Sequence, residues 1–254
     1  VVASNVISDC KNTSTAGWVM HGITLQSTGS NTGLSVYNNF IHDIAGFGYD
    51  PNITDNGHGV GILSGGGYKI YYNSINLTTN QSEGNSAAIF IDNRASAGVT
   101  PSNLDIRNNI FANSQTSFVR YSIYSSAPAT AFTNINYNDY YTAGATLGFL
   151  GAARTDLADW QAATGADANS VSVIPQFVSA TNLHLSGAST LNNLGTALAG
   201  FITDIDTDIR NATTPDIGAD EFTPPNCGGV ITGGTITASK TTLCVAEDVT
   251  FGAT

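Results

Sequence analysis

The sequence predicts an all-β chain built as a solenoid of stacked coils, and three observations lead to this prediction. A six-residue pattern sets an asparagine among apolar positions, as in residues 36–41 and 106–111. The pattern recurs with its asparagines 34, 34, 36 and 29 residues apart, at Asn5, Asn39, Asn73, Asn109 and Asn138. Its pieces alternate with period two, and Gly-, Ser- and Asn-rich stretches separate them. A unit of about 30 residues that repeats without a helical period is typical of a β-solenoid.

Each coil is expected to contain two short strands. The pattern around the asparagine forms one, and a second strand-like piece precedes each of the last four asparagines, at residues 21–25, 60–63, 87–91 and 121–124. Equivalent residues of stacked coils lie about 4.8 Å apart. An inward-turned asparagine at a tight corner can therefore pass amide hydrogen bonds along a structural ladder of its own kind, and it tolerates left-handed backbone. One short helix is expected at residues 156–163, where Trp160 would pack against the flank of the solenoid.

The composition excludes several classes of protein. Of 254 residues, 41% are hydrophobic and only 11% are charged, with 27 glycines and a formal net charge of −11. This is too hydrophobic for a disordered chain and too poor in charge for a helical bundle. Eight scattered Lys and Arg residues cannot form the cationic surface that nucleic acid requires. No apolar run approaches the roughly 20 residues of a membrane span. The acidic balance and few cysteines indicate an exported, extracellular protein.

The asparagine-centred coils resemble the right-handed parallel β-helix repeat of pectate lyases, polygalacturonases and many surface proteins. Residues 157–222 are similar to the end of secreted Bacteroidota-type β-helix proteins, at residues 159–167, 175–178, 183–185, 204–210 and 216–222. Thr207 departs from that pattern, which usually has glycine there. The resemblance implies a right-handed parallel β-helix of about six to seven coils over residues 1–222. It also implies type IX secretion to the cell surface and a role in adhesion or gliding.

The C-terminal segment, residues 223–254, lacks the asparagine-centred pattern of the repeats. Residues 223–226 are expected to be a linker, and residues 227–254 look like the start of an immunoglobulin-like module, a partial β-sandwich. Such a sandwich needs roughly 100 residues, so we expect further domains of the same polypeptide beyond this segment. Cys227 and Cys244 are predicted to form a disulfide, with Cys10 free and buried. Pairing of Cys10 with another chain is the competing interpretation.

Catalytic residues are expected to be absent, although three residues form an alternative. Residues 57–59 resemble the Gly-His-Gly of polygalacturonases, but the aspartate pair and the Arg-x-Lys of those enzymes are missing, so His58 is more simply a turn residue. A pectate lyase needs a calcium bed of several carboxylates. The aligned coils offer only Asp92, with Arg94 two residues beyond it. A polysaccharide lyase or glycoside hydrolase acting on acidic glycans through His58, Asp92 and Arg94 therefore stays the alternative.

A structural calcium site is a further candidate. Asp204, Asp206 and Asp208 alternate as at the start of a calcium loop. The rest of an EF-hand is missing, because Ile209 and Pro215 stand where its Gly and Glu would be. The other interpretation is a calcium-free acidic turn, in which Arg210 pairs with Asp208, Asp220 or Glu221.

The alternation also predicts which columns of side chains face outward. Ile23, Ile62, Ile89 and Ile123 are expected to stack inward, which turns Thr24, Leu63, Phe90 and Tyr124 outward. On the other strand Lys69 falls beside Asp105, and a second column contains Tyr37, Tyr71 and Arg107. Packing beneath loops is one interpretation of these columns. The other is a contact surface for a glycan or a protein partner, made by Leu63, Phe90, Tyr124, Tyr37, Tyr71 and Arg107.

These expectations combine into a function. The first hypothesis is a non-catalytic cell-surface protein that belongs to a longer adhesin or filament and serves attachment or gliding. The alternatives are the polysaccharide-cleaving enzyme described above and a glycan-binding module. No cofactor is expected apart from the calcium of the acidic turn.

Overall fold

The fold is all-β with little helix. A computed structural model describes residues 1–15, 19–49, 52–94 and 96–224, together with the backbone of two short strands, Ile236–Ala238 and Phe251–Ala253. Helices account for 6% of the chain. The strands of successive repeats pair in parallel, as the repeated sequence pattern requires.

The strands are numbered in chain order. They are β1 (Val2–Ala3), β2 (Val6–Ile7), β3 (Cys10–Lys11), β4 (Met20–Leu25), β5 (Ser35–Tyr37), β6 (Phe40–His42), β7 (Ile44–Ala45), β8 (Gly57–Ile62), β9 (Lys69–Tyr71), β10 (Ser74–Leu77), β11 (Ser86–Ile91), β12 (Leu104–Arg107), β13 (Ile110–Asn113), β14 (Arg120–Ser125), β15 (Phe132–Asn136), β16 (Asp139–Thr142), β17 (Gly148–Leu150), β18 (Ala152–Arg154), β19 (Ile236–Ala238) and β20 (Phe251–Ala253). Short 3-10 helices span Ile53–Asp55 and Ala129–Ala131.

Three sheets hold most of these strands. Sheet A has the order β1-β5-β9-β12-β15, sheet B the order β2-β6-β10-β13-β16, and sheet C the order β4-β8-β11-β14-β17-β18. β3 pairs with β7 in a small additional sheet. Each repeat gives one strand to each large sheet. Stacked parallel sheets of this kind are compatible with a parallel β-helix.

Equivalent residues stack in register and share one core. In sheet A Val36 lies between Val2 and Ile70, and in sheet B Ile41 lies beside Ile75. Apolar side chains from all three sheets form a single buried cluster. Burial of such columns stabilises each strand through its neighbours in the adjacent repeats, since a single repeat has no core of its own.

The corner between sheets A and B is formed by a left-handed residue in every repeat. These residues are Ser4, Asn38, Tyr72, Asn108 and Tyr137, with φ of 55°, 52°, 51°, 59° and 58°. Each of these residues comes directly before one of the repeated asparagines. The left-handed conformation was expected at the asparagine itself, but the residue before it makes the turn. The repeated asparagine can then direct its side-chain amide inward.

The predicted inward column needs one correction. Ile23, Ile89 and Ile123 lie where expected, but Val60 rather than Ile62 pairs with both Ile23 and Ile89. Ile62 pairs one step further along, with Leu25 and Ile91. A period of two puts residues 60 and 62 on the same face, so alternation could not decide between them.

The repeated strands end earlier than predicted. Sheets A and B have five strands each, and past β18 the described chain up to residue 222 adds one α-helix and isolated bridges rather than further coils. The helix α1 (Leu157–Thr164) begins after Asp156, whose carboxylate accepts a hydrogen bond from the Asp159 N–H at 2.9 Å. Trp160, which was expected to pack against the flank, is fully buried as a member of the core cluster. The helix therefore closes one end of the core.

Residues 171–222 form what we call the C-terminal wrap. It lies along the outer face of sheet B, and its apolar side chains pack there: Leu185, Leu191 and Ile217 against Ile110 and Ala112, and Leu183 and Ala219 against Phe40. The Asn38 side-chain amide donates to the Thr203 carbonyl at 2.7 Å, which ties the wrap to the corner of the second repeat. The wrap therefore covers the face of sheet B that points away from the shared core cluster.

The predicted immunoglobulin-like segment falls largely outside the described residues. Cys227, Cys244 and the disulfide predicted between them lie there, and only β19 and β20 are described, as an antiparallel pair. Cys10 has a free thiol. It is half-buried rather than buried, because in the described part of the chain β3 is the edge strand of a two-stranded sheet and pairs with β7 on one side. In the described part of the chain, helices with the length and apolar character of a membrane span are absent.

Candidate functional site

The structure brings the five repeated asparagines together in one column. The Nδ2 of Asn5 donates to the Oδ1 of Asn39 at 2.9 Å, Asn39 donates in the same way to Asn73, and Asn73 donates to Asn109. The last link joins Asn109 to Asn138 at 3.0 Å. Each acceptor Oδ1 also receives the backbone N–H of the preceding asparagine, at 3.0 to 3.2 Å. The column is a continuous hydrogen-bonded ladder inside the protein.

The ladder ends in a buried polar network. The backbone N–H of Asn138 donates to the Ser170 hydroxyl at 2.8 Å, and Ser170 in turn donates to the Asp167 carboxylate. The same carboxylate accepts from the Tyr140 hydroxyl at 2.7 Å and from the indole N–H of Trp160 at 2.8 Å. Asp167 therefore accepts hydrogen bonds from three donors at the end of the core, beyond the last asparagine of the ladder.

His58 is buried and bound to the backbone through both ring nitrogens. Its Nδ1 accepts from the Ala87 N–H at 3.1 Å, which leaves Nε2–H to donate to the Ile53 carbonyl at 2.9 Å. Burial lowers the pKa of His58 to about 3, with a smaller contribution from the neighbouring His21. The imidazole is therefore neutral with a fixed tautomer, and no ring nitrogen is free to exchange a proton with a substrate.

The glycines that flank His58 have a packing reason. A Cβ at Gly59 would lie 2.4 Å from a methyl group of Ile75, and a Cβ at Gly57 would lie 2.4 Å from the Gly46 nitrogen. Both positions therefore exclude any side chain. The Gly-His-Gly that resembles a polygalacturonase motif is explained here by close packing of β8 against Ile75 of sheet B and against the chain that follows β7.

An outer column of rings runs along sheet C. Ring centroids are separated by 5.3, 4.5, 5.6 and 4.5 Å in the series His21, His58, Phe90, Tyr124 and Phe149. Phe90, which was expected on an exposed surface, is fully buried because His58 stacks on its face. Leu63 is not in register with Phe90, since Gly61 pairs there; Leu63 packs as a half-buried neighbour of this cluster.

Asp92 and Arg94 form a local pair rather than a metal bed. The Asp92 carboxylate is buried and accepts from the backbone N–H of Arg94 at 3.0 Å and from its Nε at 2.7 Å. More than half of the Arg94 side chain is exposed. Both Asp92 oxygens are thus engaged by a single residue two positions away, which makes this pair a loop-capping arrangement.

The second predicted surface is partly covered. Tyr37, Tyr71 and Arg107 are in register as expected. Arg107 binds Asp105 through Nε and Nη2 at 2.7 Å each, and the Tyr71 hydroxyl donates to the same carboxylate at 2.6 Å. Burial and Asp105 raise the pKa of Tyr71 to about 12. Phe201 of the C-terminal wrap contacts the rings of Tyr37 and Tyr71 at 4.9 and 5.0 Å, so this column packs against the chain itself.

A polar cleft remains open beside this column. Its volume is about 460 Å³, and it crosses four repeats along sheet A. The residues that line it are Asn31, Gly33, Gly67, Lys69, Asn103, Asp105 and Thr133. Lys69 pairs in register with Asp105, as the sequence predicts, and its side chain is exposed.

The three aspartates of the acidic turn take separate roles. The carboxylate of Asp204 is buried and accepts backbone N–H groups from Asp206, Asp208 and Glu221 at 2.8 to 2.9 Å. Asp206 instead faces His184, with its Oδ2 2.6 Å from the imidazole Nε2. The Asp204 carboxylate therefore organises the turn, whereas that of Asp206 points to a residue that the sequence analysis did not single out.

Of its three predicted partners, Arg210 forms an ion pair with Glu221. The buried guanidinium lies 3.4 Å from the Glu221 carboxylate and donates to the Asn38 side chain and the Gly218 carbonyl at 3.1 Å. It also lies over the ring of Tyr72, 4.1 Å from its centre. Arg210 thus joins the acidic turn to the corner between sheets A and B.

Replacing Thr207 with glycine is expected to stabilise the protein by about 1 kcal/mol. Thr207 has φ 76°, a conformation that is strained for a β-branched residue and natural for glycine. Chemical unfolding of the Thr207→Gly variant measures the gain. Thr133→Gly, in the exposed part of β15, is the matched control and should lose stability. A loss at both positions would contradict this account of the turn.

Sequence reasoning missed the ring column, the C-terminal wrap and the contact between His184 and Asp206. The histidines were visible, but nothing in the sequence indicated that residue 184 would meet residue 206. No protein-family model matches the chain, and neither the curated proteins nor the solved structures contain a match to it.

Proposed function

We propose that this chain is a non-catalytic structural module of an exported cell-surface protein. The module is a right-handed parallel β-helix, and it forms part of a longer adhesin or filament that reaches the surface through type IX secretion and serves attachment or gliding. The chain presents partners with a rigid stack of repeats. Its partner is a glycan or protein of the surface or extracellular space, and an immunoglobulin-like module follows it.

One observation carries the non-catalytic part of the proposal. The side chains that most resemble those of glycan-cleaving enzymes are held in hydrogen bonds of the fold: His58 by the backbone of residues 53 and 87, and Asp92 by Arg94. A general base must reach the proton that it removes. A fully buried imidazole with both nitrogens engaged is better suited to holding the loop at residues 53–55 onto sheet C.

The surface role is supported by the polar ladder and the composition. A continuous ladder of asparagines fixes the spacing of five repeats, which suits a load-bearing or spacing element. The low charged fraction and the acidic balance are the features of composition from which an exported protein is predicted.

Glycan binding is the second candidate, and the open cleft along sheet A favours it. Amides, a lysine and an aspartate line this cleft, and such groups form hydrogen bonds with sugar hydroxyls. A cleft that crosses several repeats can follow an extended chain. Under this second candidate function, the chain binds a polysaccharide without cleaving it.

Incubation of the purified protein with pectin, alginate and other acidic glycans tests the proposal. We expect no release of reducing ends or unsaturated products, and any binding should weaken on changing Lys69 to alanine. Product release by the wild type that is lost in His58→Asn or Asp92→Asn variants, each shown to be folded, would overturn the non-catalytic assignment.

A further inference from the structure

Two carboxylates and one imidazole converge where the C-terminal wrap folds back on itself. His184, Asp206 and Asp220 each offer a ligand atom, and these atoms all lie within 4.8 Å of one another. Among the residues that the structure describes, this is the one set of three such side chains with that spacing. They come from three separate segments of the wrap and meet only in the folded chain.

The histidine is oriented toward the two carboxylates by its other contacts. Its Nδ1 faces the Asn182 side-chain oxygen, and the edge of the ring packs against Phe40 with centroids 4.9 Å apart. Nε2 points to Asp206 at 2.6 Å. An imidazole whose outer nitrogen is held by an oxygen acceptor, and whose inner nitrogen faces carboxylates, has the arrangement of a metal-ligating histidine.

The two aspartates differ in exposure, since Asp220 is buried and Asp206 is exposed. Asp220 is 6% exposed, and one of its oxygens accepts the Leu185 N–H at 2.7 Å. The carboxylates of Asp204 and Asp206 lie close enough to Asp220 to act on it electrostatically. The guanidinium of Arg210 is paired with Glu221 rather than with these aspartates. A cation placed between the carboxylates would offset this accumulation of negative charge.

We propose that His184, Asp206 and Asp220 bind a divalent transition-metal ion of the zinc class, which pins together the three segments of the C-terminal wrap. One nitrogen and two carboxylate oxygens form a ligand set that suits zinc, with water completing the coordination. Calcium prefers oxygen ligands alone, so it fits this set poorly. This site is independent of the proposed surface function.

Isothermal titration of the metal-free protein with zinc chloride, and separately with calcium chloride, tests the site. We expect saturable zinc binding at one site that disappears, or weakens at least about tenfold, in His184→Gln and in Asp206→Asn. Asp208→Asn is the matched control, because this neighbouring carboxylate lies outside the set, and it should bind zinc like the wild type. Zinc held elsewhere on the chain persists in every variant and does not affect the comparison.

Thermal unfolding with and without zinc provides the second measurement. Zinc should raise the melting temperature of the wild type and of Asp208→Asn, but not that of His184→Gln. Equal zinc binding by all four proteins would overturn the proposal. So would calcium binding in preference to zinc, or a loss of stability in His184→Gln that is the same with and without zinc, as expected for a plain ion pair.

Discussion

Replacing Asn73 with alanine is expected to lower the free energy of unfolding by about 3 to 4 kcal/mol. The Asn73 side chain donates to Asn109, to the Val36 carbonyl and to the Tyr71 carbonyl at 2.9 to 3.1 Å. Its oxygen accepts both N–H groups of Asn39, from the backbone and the side chain. Truncation leaves these groups buried without partners, and no water replaces them in a packed corner. Urea unfolding followed by circular dichroism measures the loss.

Asn5→Ala is the matched control for this prediction. Asn5 is the exposed first residue of the ladder, and it donates to Asn39 and Ala3 without receiving a bond from an earlier repeat of the described chain. Water can solvate the groups that its removal frees, so the expected loss is about 1 kcal/mol. Equal losses at positions 5 and 73 would show that the buried ladder contributes little beyond its exposed end.

The protein is expected to lose stability in acid through His58. Burial holds the pKa of His58 at about 3, whereas an unfolded histidine titrates near 6.5. The unfolded state therefore binds one more proton between these values, and stability falls by about 1.4 kcal/mol per pH unit as the pH decreases through this window. Between pH 7.5 and pH 4.5 the loss through this residue amounts to about 2 to 3 kcal/mol. Asp139 and Asp216 act in the opposite direction, since burial raises the pKa of each carboxyl.

Comparison with His58→Asn isolates this contribution. The variant is less stable at pH 7.5, but the difference from wild type should shrink by about 2 to 3 kcal/mol at pH 4.5, because the titrating group is gone. Ile106→Val, a core change without a titratable group, should keep a constant difference from wild type at both pH values. A constant difference for His58→Asn would mean that this imidazole is accessible to protons, as a catalytic residue would be.

Much of the repeated part was predictable because its signals are local and recur. The asparagine positions and the register of Tyr37, Tyr71 and Arg107 follow from spacing alone. These features depend on the same residue type returning at the same place in each repeat. Stacking then puts equivalent residues side by side without further information.

The parts that failed depend on contacts between unlike segments. Alternation could not distinguish Val60 from Ile62, because a shift of two residues preserves the face. Phe90 was expected on the surface because nothing in the sequence shows that His58 covers it. The C-terminal wrap repeats no pattern, and its contacts join distant residues, such as Asn38 and Thr203, which are 165 positions apart. Hence the meeting of His184 with Asp206 and Asp220 could not be predicted either.

The buried ladder of asparagines is the feature on which both the fold and the proposed structural role rest. Hydrogen exchange of the side-chain amides, followed by nuclear magnetic resonance in the intact protein, observes it directly. The Nδ2 protons of Asn39, Asn73 and Asn109 should exchange only as slowly as global unfolding allows, whereas those of the exposed Asn80 should exchange at once. Rapid exchange at all four positions would contradict a stack of repeats joined through its asparagines.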